Sequence, residues 1–407
     1  MADKPLQLIL GGRVVSKEEK MFIVEMVRDG KITSEQAVEL LNALERSPEQ
    51  LEIPSDEVRL EEDLVEEKVE QKVQKMGETI EAIAEDLATK TENVFFRGLR
   101  RRPKFIYADE FCGQFPEHGE IEVTLYSMDG AIEVKTWEKD HYRLEVIKKV
   151  NTVSEEEAQK ILEGCVEFKQ EGLSLAATAK SRGTLRSRNI TVDFILTLPT
   201  SRKARLDLRS GDGSVAIHGV SGSLCKAATG DGSLRVGNSD FGILEIGTGD
   251  GSIVLQGISA DECRARTGDG SIKVFESKVK MLDANTGDGS IVIERLSGDV
   301  TAKTMDGSIN ADFIGTGNWL LKTKDGSIAV RIHGLKTDLY EVDLSTRDGR
   351  IDVEGMEDAD IILDQRGAAH VVRRYKAVSR GFAQADSRGS LKAGTGSGGV
   401  AVRFLRG

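Results

Sequence analysis

Aromatic residues make up only 5% of this 407-residue chain, with two tryptophans and six prolines. Large rings supply much of the filling of a thick core, so thin layers of aliphatic and small side chains are expected instead. The four cysteines (Cys112, Cys165, Cys225 and Cys263) show no metal-ligand spacing, and Cys225 and Cys263 read as small buried hydrophobes, compatible with a reducing compartment. No stretch approaches the roughly 18 apolar residues of a membrane-spanning helix. The one early apolar run, 6–10, is shorter than an export-signal core and lacks a basic lead. The expected location is therefore cytoplasmic or membrane-associated, without a classical signal peptide. An excess of positive charge is also missing: the formal net charge is −12, which argues against nucleic acid as a partner.

What the chain has is a repeat. Asp-Gly recurs at Asp212, Asp231, Asp250, Asp269, Asp288, Asp306, Asp325 and Asp348, in steps of 19, 19, 19, 19, 18, 19 and 23 residues. Three residues after each Asp stands an apolar residue (Val215, Leu234, Ile253, Ile272, Ile291, Ile309, Ile328, Ile351), and in most copies another follows at five. Two before it a hydroxyl recurs: Ser210, Thr229, Thr248, Thr267, Thr286, Thr304, Thr323, Thr346. Alternation on both sides of a glycine-containing turn gives two short half-buried strands per unit. About 19 residues leave no room for a helical crossover. The reading is mainly β: a parallel β-solenoid of about 19 residues per coil, right-handed because parallel crossovers usually are.

Stacking makes each aligned column a ladder with about 4.8 Å between rungs. The hydroxyls are expected to line the inside of a corner, and the glycine beside each Asp to supply positive φ. Stacked carboxylates repel by about 0.9 kcal/mol per neighbouring pair in water, so the row must be exposed, hydrogen-bonded or neutralised. Asp231, Asp250, Asp269 and Asp288 are the candidate calcium ladder. One Asp per coil falls short of the six to eight oxygens calcium takes, and an Asp bonded to its own turn is the plainer reading. Cys225 and Cys263 share one column two coils apart, roughly 9 to 10 Å, too far for a disulfide.

Ahead of the repeat, 1–15 reads as a flexible N-terminus and 16–48 as a helical hairpin. Ser16 with Glu19 and Thr33 with Gln36 cap its two helices. Residues 55–93 read as a long amphipathic helix, with Val65, Val69, Val73, Met76, Ile80, Ile83 and Leu87 close to a heptad seam. Self-association through this helix is expected. Between 56 and 93 stand 13 acidic and 5 basic residues, whereas the junction 94–104 is basic and aromatic. There Phe95, Phe96, Arg97, Arg100, Arg101 and Arg102 are the candidate membrane or partner contact. The solenoid spans 105–407. It opens with an irregular section (105–200) in which Met128–Val134 is an isolated version of the repeat and Ser154 starts an intervening helix. Regular coils follow (201–353), and then a degenerate cap (354–407) whose corners are marked by Gly367, Gly389 and Gly399.

Met128-Asp-Gly-Ala-Ile-Glu-Val and the series from Ser210 to Arg350 resemble the bacterial putative-adhesin β-solenoid family, a domain of unknown function. The hairpin around Glu19-Lys20-Met21, Val27–Thr33 and Ala37–Leu44 is similar to the SHOCT-like module that precedes it in LiaX- and YvlB-type proteins of Gram-positive bacteria. The resemblance implies a role in cell-envelope stress, with cell-surface exposure, and brings no catalytic residue or cofactor. The leading expectation is thus a non-enzymatic binding or scaffold protein. A polysaccharide lyase or hydrolase is the alternative, since parallel β-helices also host those. Such chemistry needs a carboxylate pair or base distinct from its neighbours, whereas these acids repeat in equivalent surroundings and His118, His141, His218, His333 and His370 show no ligand spacing. A calcium-stabilised surface β-roll is the third class.

Overall fold

The computed structural model describes residues 104–179, 190–356, 358–366 and 372–406. The N-terminus 1–15, the hairpin at 16–48, the helix at 55–93, the junction residues Phe95 to Arg102, Gly367 and His370 lie outside them. Among the described residues the protein is mainly β, with 26 strands in one hydrogen-bonded system. Each Asp-Gly turn joins a strand of one sheet, here the leading sheet, to a strand of a second, the trailing sheet. Ser221–Thr229 leads to Leu234–Gly237, Asp240–Thr248 to Ile253–Gln256, and Ser259–Thr267 to Ile272–Phe275.

Equivalent strands pair in parallel. Thr229 lies opposite Thr248, then come Thr267 and Thr286, while Leu234, Ile253 and Ile272 follow one another in the trailing sheet. The apolar columns point inward and are almost fully buried, Ile253, Ile272 and Ile291 at 0% exposure. The hydroxyl column seals the corner. Thr248 Oγ1 donates to Gly232 O at 2.8 Å and accepts from Gly251 N at 3.2 Å, so one side chain satisfies backbone groups of two successive turns.

The glycine after each Asp has a different role from the one its position suggests. None of Gly232, Gly251, Gly270 or Gly289 has positive φ. A Cβ on Gly270 would stand 1.9 Å from Gly251 O, so glycine is there because successive turns stack backbone on backbone. Positive φ belongs to the opposite corner, at Gly219, Asn238, Gly257, Glu276, Arg295 and Gly315. There side chains are sterically tolerated, at a backbone cost. The 18-residue step is absorbed at that corner, where Ile291–Thr304 runs on from the trailing into the leading sheet and the register shifts beside it.

Both ends depart from sequence order. The strands Ile121–Ser127 and Ile132–Trp137, on either side of Asp129, are not isolated. They pair with Ala204–Ser210 and Val215–His218 on one side, and with Ser174–Ala179 and Ile190–Pro199 on the other. The strand Ile190–Pro199 runs on in sequence to Ala204–Ser210, but Ile132–Trp137 lies between it and Val215–His218 in the sheet. At the far end, Arg388–Thr395 and Val400–Arg406 form a complete coil. It is inserted between the coil of Asn318–Thr323 and Ile328–Gly334 and the coil of Leu339–Thr346 and Ile351–Glu354. The 23-residue step exists because the chain must rise past this slot. Gly399 is a working turn rather than a degenerate one, with Thr395 Oγ1 donating to Gly326 O at 2.7 Å. Gly389 is not a corner. It lies within a strand, where a Cβ would meet the Tyr340 ring at 2.7 Å.

The ends are closed by other elements. A helix, Glu155–Leu162, capped by the Ser154 hydroxyl accepting from Glu157 N, buries Ala158 and Leu162 at the N-terminal end. Antiparallel strands Arg373–Ser379 and Ala359–Asp364 extend the leading sheet at the other end. There the core widens to hold a stack of rings: Phe313 on Trp319 at 4.4 Å, Trp319 to Tyr340 at 6.2 Å, and Tyr340 to Phe404 at 5.1 Å.

Cys225 and Cys263 point inward on either side of Leu244, and both are free thiols. Burial pushes the Cys263 thiol up to about 12, and that of Cys225 higher still. A thiol reagent is thus expected to label exposed Cys112 in the native protein and to spare Cys225 and Cys263, along with the equally buried Cys165, as peptide mapping of the labelled chain would show. An unfolded thiol ionises near about 8.5. Stability from these two groups is therefore complete below that pH and lost as pH climbs toward their folded values. Labelling of Cys263 at neutral pH without unfolding would contradict this packing.

Candidate binding surface

The aspartates of the predicted ladder are brought together as a row. Asp231, Asp250, Asp269 and Asp288 are all exposed on the outside of the corner. Their amides bond to the turn before: Asp250 N to Gly230 O at 3.2 Å, Asp269 N to Gly249 O at 3.3 Å. Among the described residues no group of three or more His, Cys, Asp or Glu is placed to hold a metal ion. The basic and aromatic residues Phe95, Phe96, Arg97, Arg100, Arg101 and Arg102 lie outside the described residues.

The outer face of the leading sheet carries charges that largely neutralise one another. Lys226 Nζ and Arg264 Nη1 reach Glu245 at 3.0 and 2.9 Å, and Arg264 also contacts Glu262. The Lys226 hydrogen bond, with Arg264 adding to it, holds the Glu245 carboxyl below the usual carboxylate range. These pairs are solvent-accessible and stabilise little.

Among the described residues the repeated face of the trailing sheet is broken at its C-terminal coils. A shallow groove of about 470 Å³ crosses the C-terminal coils. Its floor is the row Val292, Asn310, Ala329, Ala401 and Asp352, each opposite the next on neighbouring strands. Two alanines side by side remove the side-chain height that Arg235, Val254 or Lys273 gives this column elsewhere. Alongside runs a second row, Asp312, Arg331, Arg403 and Glu354. Arg331 Nε stands 3.3 Å from Asp312 Oδ2, and Arg403 Nε donates to Glu354 Oε2 at 2.7 Å. The outer carboxylates thus hold the two guanidiniums at Nε while Arg331 and Arg403 remain neighbours. His333 Nε2 lies 3.0 Å from Asp312 Oδ1 but off the hydrogen-bonding direction, so that buried oxygen has no hydrogen-bond partner among the described residues.

Sequence reasoning missed Ala401 and Arg403, because the segment holding them looked degenerate. The signal was present: Thr395-Gly-Ser-Gly-Gly-Val-Ala-Val follows the repeat with Ser397 in the place of Asp.

Among solved structures, a putative adhesin from Parabacteroides merdae is 10% identical, over 74% of this chain and 96% of that one, at a TM-score of 0.44. A putative lipid binding protein from Parabacteroides distasonis is 13% identical, over 74% and 98%, at 0.39. A putative adhesin from Bacteroides fragilis is 10% identical, over 74% and 98%, at 0.33. No curated protein matches the chain. A SHOCT-like domain profile matches residues 18–49, and a Toastrack DUF4097 profile matches residues 120–372, more than half of the chain. This protein belongs to the Toastrack DUF4097 family.

Proposed function

We propose that the protein is a non-enzymatic binding and scaffold protein of the bacterial cell envelope, acting in envelope stress or adhesion. The repeat is read as a right-handed parallel solenoid of about 19 residues per coil. It serves as a rigid support on which recognition is spread along a face. The observation that carries the reading is the alanine-floored groove beside Arg331 and Arg403. It is shallow and elongated, suited to an extended polar ligand rather than to a small substrate enclosed for chemistry. The two guanidiniums are held by Asp312 and Glu354 at the edge of the groove, and among the described residues no carboxylate there is set apart as an acid or base. Residues 55–93 provide self-association or a regulatory contact, and Phe95 to Arg102 a membrane contact.

The test is co-sedimentation of the full chain with isolated envelopes of a Gram-positive bacterium. The protein is expected in the pellet, and the double variant Arg331→Ala/Arg403→Ala is expected to bind at least about tenfold more weakly, the equivalent of 1.4 kcal/mol. Both side chains are exposed, so melting should be nearly unchanged. Retention equal to that of the unaltered chain would remove the groove from the function, and no retention of either protein would remove the envelope reading.

A further inference from the structure

The corner bearing the aspartates changes character along its length. From Asp129 through Asp212 to Asp325, eight turns stack in order, with Asp212 N bonded to Met128 O at 2.9 Å and Asp325 N to Met305 O at 2.9 Å. The next turn in space is the inserted one. Ser397 N bonds to Lys324 O at 2.9 Å, and Asp348 N to Gly396 O at 3.1 Å, so Ser397 interrupts the row of acids. Beyond it the corner is basic. Arg347 and Arg350 flank Asp348 in sequence, Arg374 lies opposite Ser345 on the next strand, and Arg373 Nη1 donates to Gly349 O. Arg347, Arg350 and Arg374 are exposed, and among the described residues none makes an ion pair.

We propose that this arginine tip docks on the aspartate row of a second copy of the chain. The planar guanidinium matches a carboxylate through paired hydrogen bonds. In its middle, at Asp250, Asp269 and Asp288, the row offers exposed carboxylates at a repeat of about 4.8 Å on a rigid support, where neighbouring like charges repel. The turn of Ser397 separates the tip, with its single Asp348, from Asp325 and the rest of the row. An anionic membrane is the less favoured occupant, because the tip adjoins that exposed acidic row on a chain of net charge −12. Tip and row are different patches, so a single contact leaves one tip and one row free: copies add on into rings or open chains, or two antiparallel copies pair reciprocally. This goes beyond the reading above by placing an association step on the solenoid rather than on residues 55–93.

Sedimentation velocity on the full chain tests it, between about 20 mM and about 0.5 M salt, across which exposed charges become screened. Three proteins are compared: the unaltered chain, Arg347→Glu/Arg350→Glu/Arg374→Glu, and Asp250→Arg/Asp269→Arg/Asp288→Arg. The unaltered chain is expected to show concentration-dependent association that salt abolishes. Each variant alone should lose that step, and mixing the two should restore it through the reversed charges. Absence of a salt-sensitive step in the unaltered chain overturns the proposal even if a variant folds poorly, and so does a mixture of folded variants that stays apart. Tip variants that associate normally but no longer bind vesicles containing phosphatidylglycerol would assign the tip to lipid instead. Envelope retention through Arg331 and Arg403 is read separately, so either reading can fail alone.

Discussion

Deleting residues 388–407 is expected to unfold the coils on either side of the deletion while leaving the middle of the molecule folded. The inserted coil buries Leu391, Val400, Val402 and Phe404, each at 5% exposure or less. At about 1.5–3 kcal/mol per large apolar side chain, their loss removes about 6–12 kcal/mol, comparable to the whole stability of an ordinary domain. It also bares the backbone edges of Asn318–Thr323, Ile328–Gly334, Leu339–Thr346 and Ile351–Glu354 at once. Phe404 leaves the ring stack, so Tyr340 loses one of its neighbours. Hydrogen exchange should show the amides of these four strands changing from slow to unprotected. Those of Ala204–Ser210 through Lys278–Thr286 should stay slow, because coils interact with their neighbours only. Retained protection in Leu339–Thr346 would show that the coil is dispensable.

The second large effect is expected from one methyl group. Gly270→Ala places a carbon 1.9 Å from Gly251 O and 2.4 Å from its carbonyl carbon, both backbone atoms that move only if the stack opens. A destabilisation of about 3 kcal/mol, at the upper end of ordinary overpacking costs, is expected in denaturant unfolding. Gly247→Ala is the control. It lies on a strand where the nearest atom to an added Cβ is Arg266 O at 3.7 Å, and the change should stay within about 0.5 kcal/mol. Equal effects at the two sites would mean that the turns do not stack as closely as described. Positive φ cannot explain a difference, since neither glycine has it.

These two expectations separate what local pattern reveals from what it hides. The repeated unit was legible because burial acts residue by residue: Ile253 and Leu255 face in while Val254 faces out, and alternation records that directly. The threonine corner was legible for the same reason, as each Thr meets the same backbone groups in every coil. The reason for the glycines was not legible, because close approach and positive φ select the same residue. The order of coils was not legible either. Residues 388–406 carry inward and outward positions like any other coil, and nothing in that alternation says which slot they fill. The groove inherits this: Ala329 and Ala401 become neighbours only through the insertion, and so do Arg331 and Arg403. Only the length of the step from Asp325 to Asp348 hinted that a slot had been left open.

The measurement that bears most directly on the account is therefore a cross-linking comparison across that slot. In a Cys112→Ser background, the pair Ala329→Cys/Ala401→Cys occupies facing positions on adjacent strands, within the Cα separation a disulfide spans. The pair Ala329→Cys/Asp352→Cys lies two strands apart, about 9 to 10 Å, beyond that reach. Mild oxidation is predicted to close the first pair efficiently and to leave the second as free thiols. Efficient closure of the second pair with none in the first would mean that the coils follow sequence order, that no coil is inserted, and that the groove does not exist.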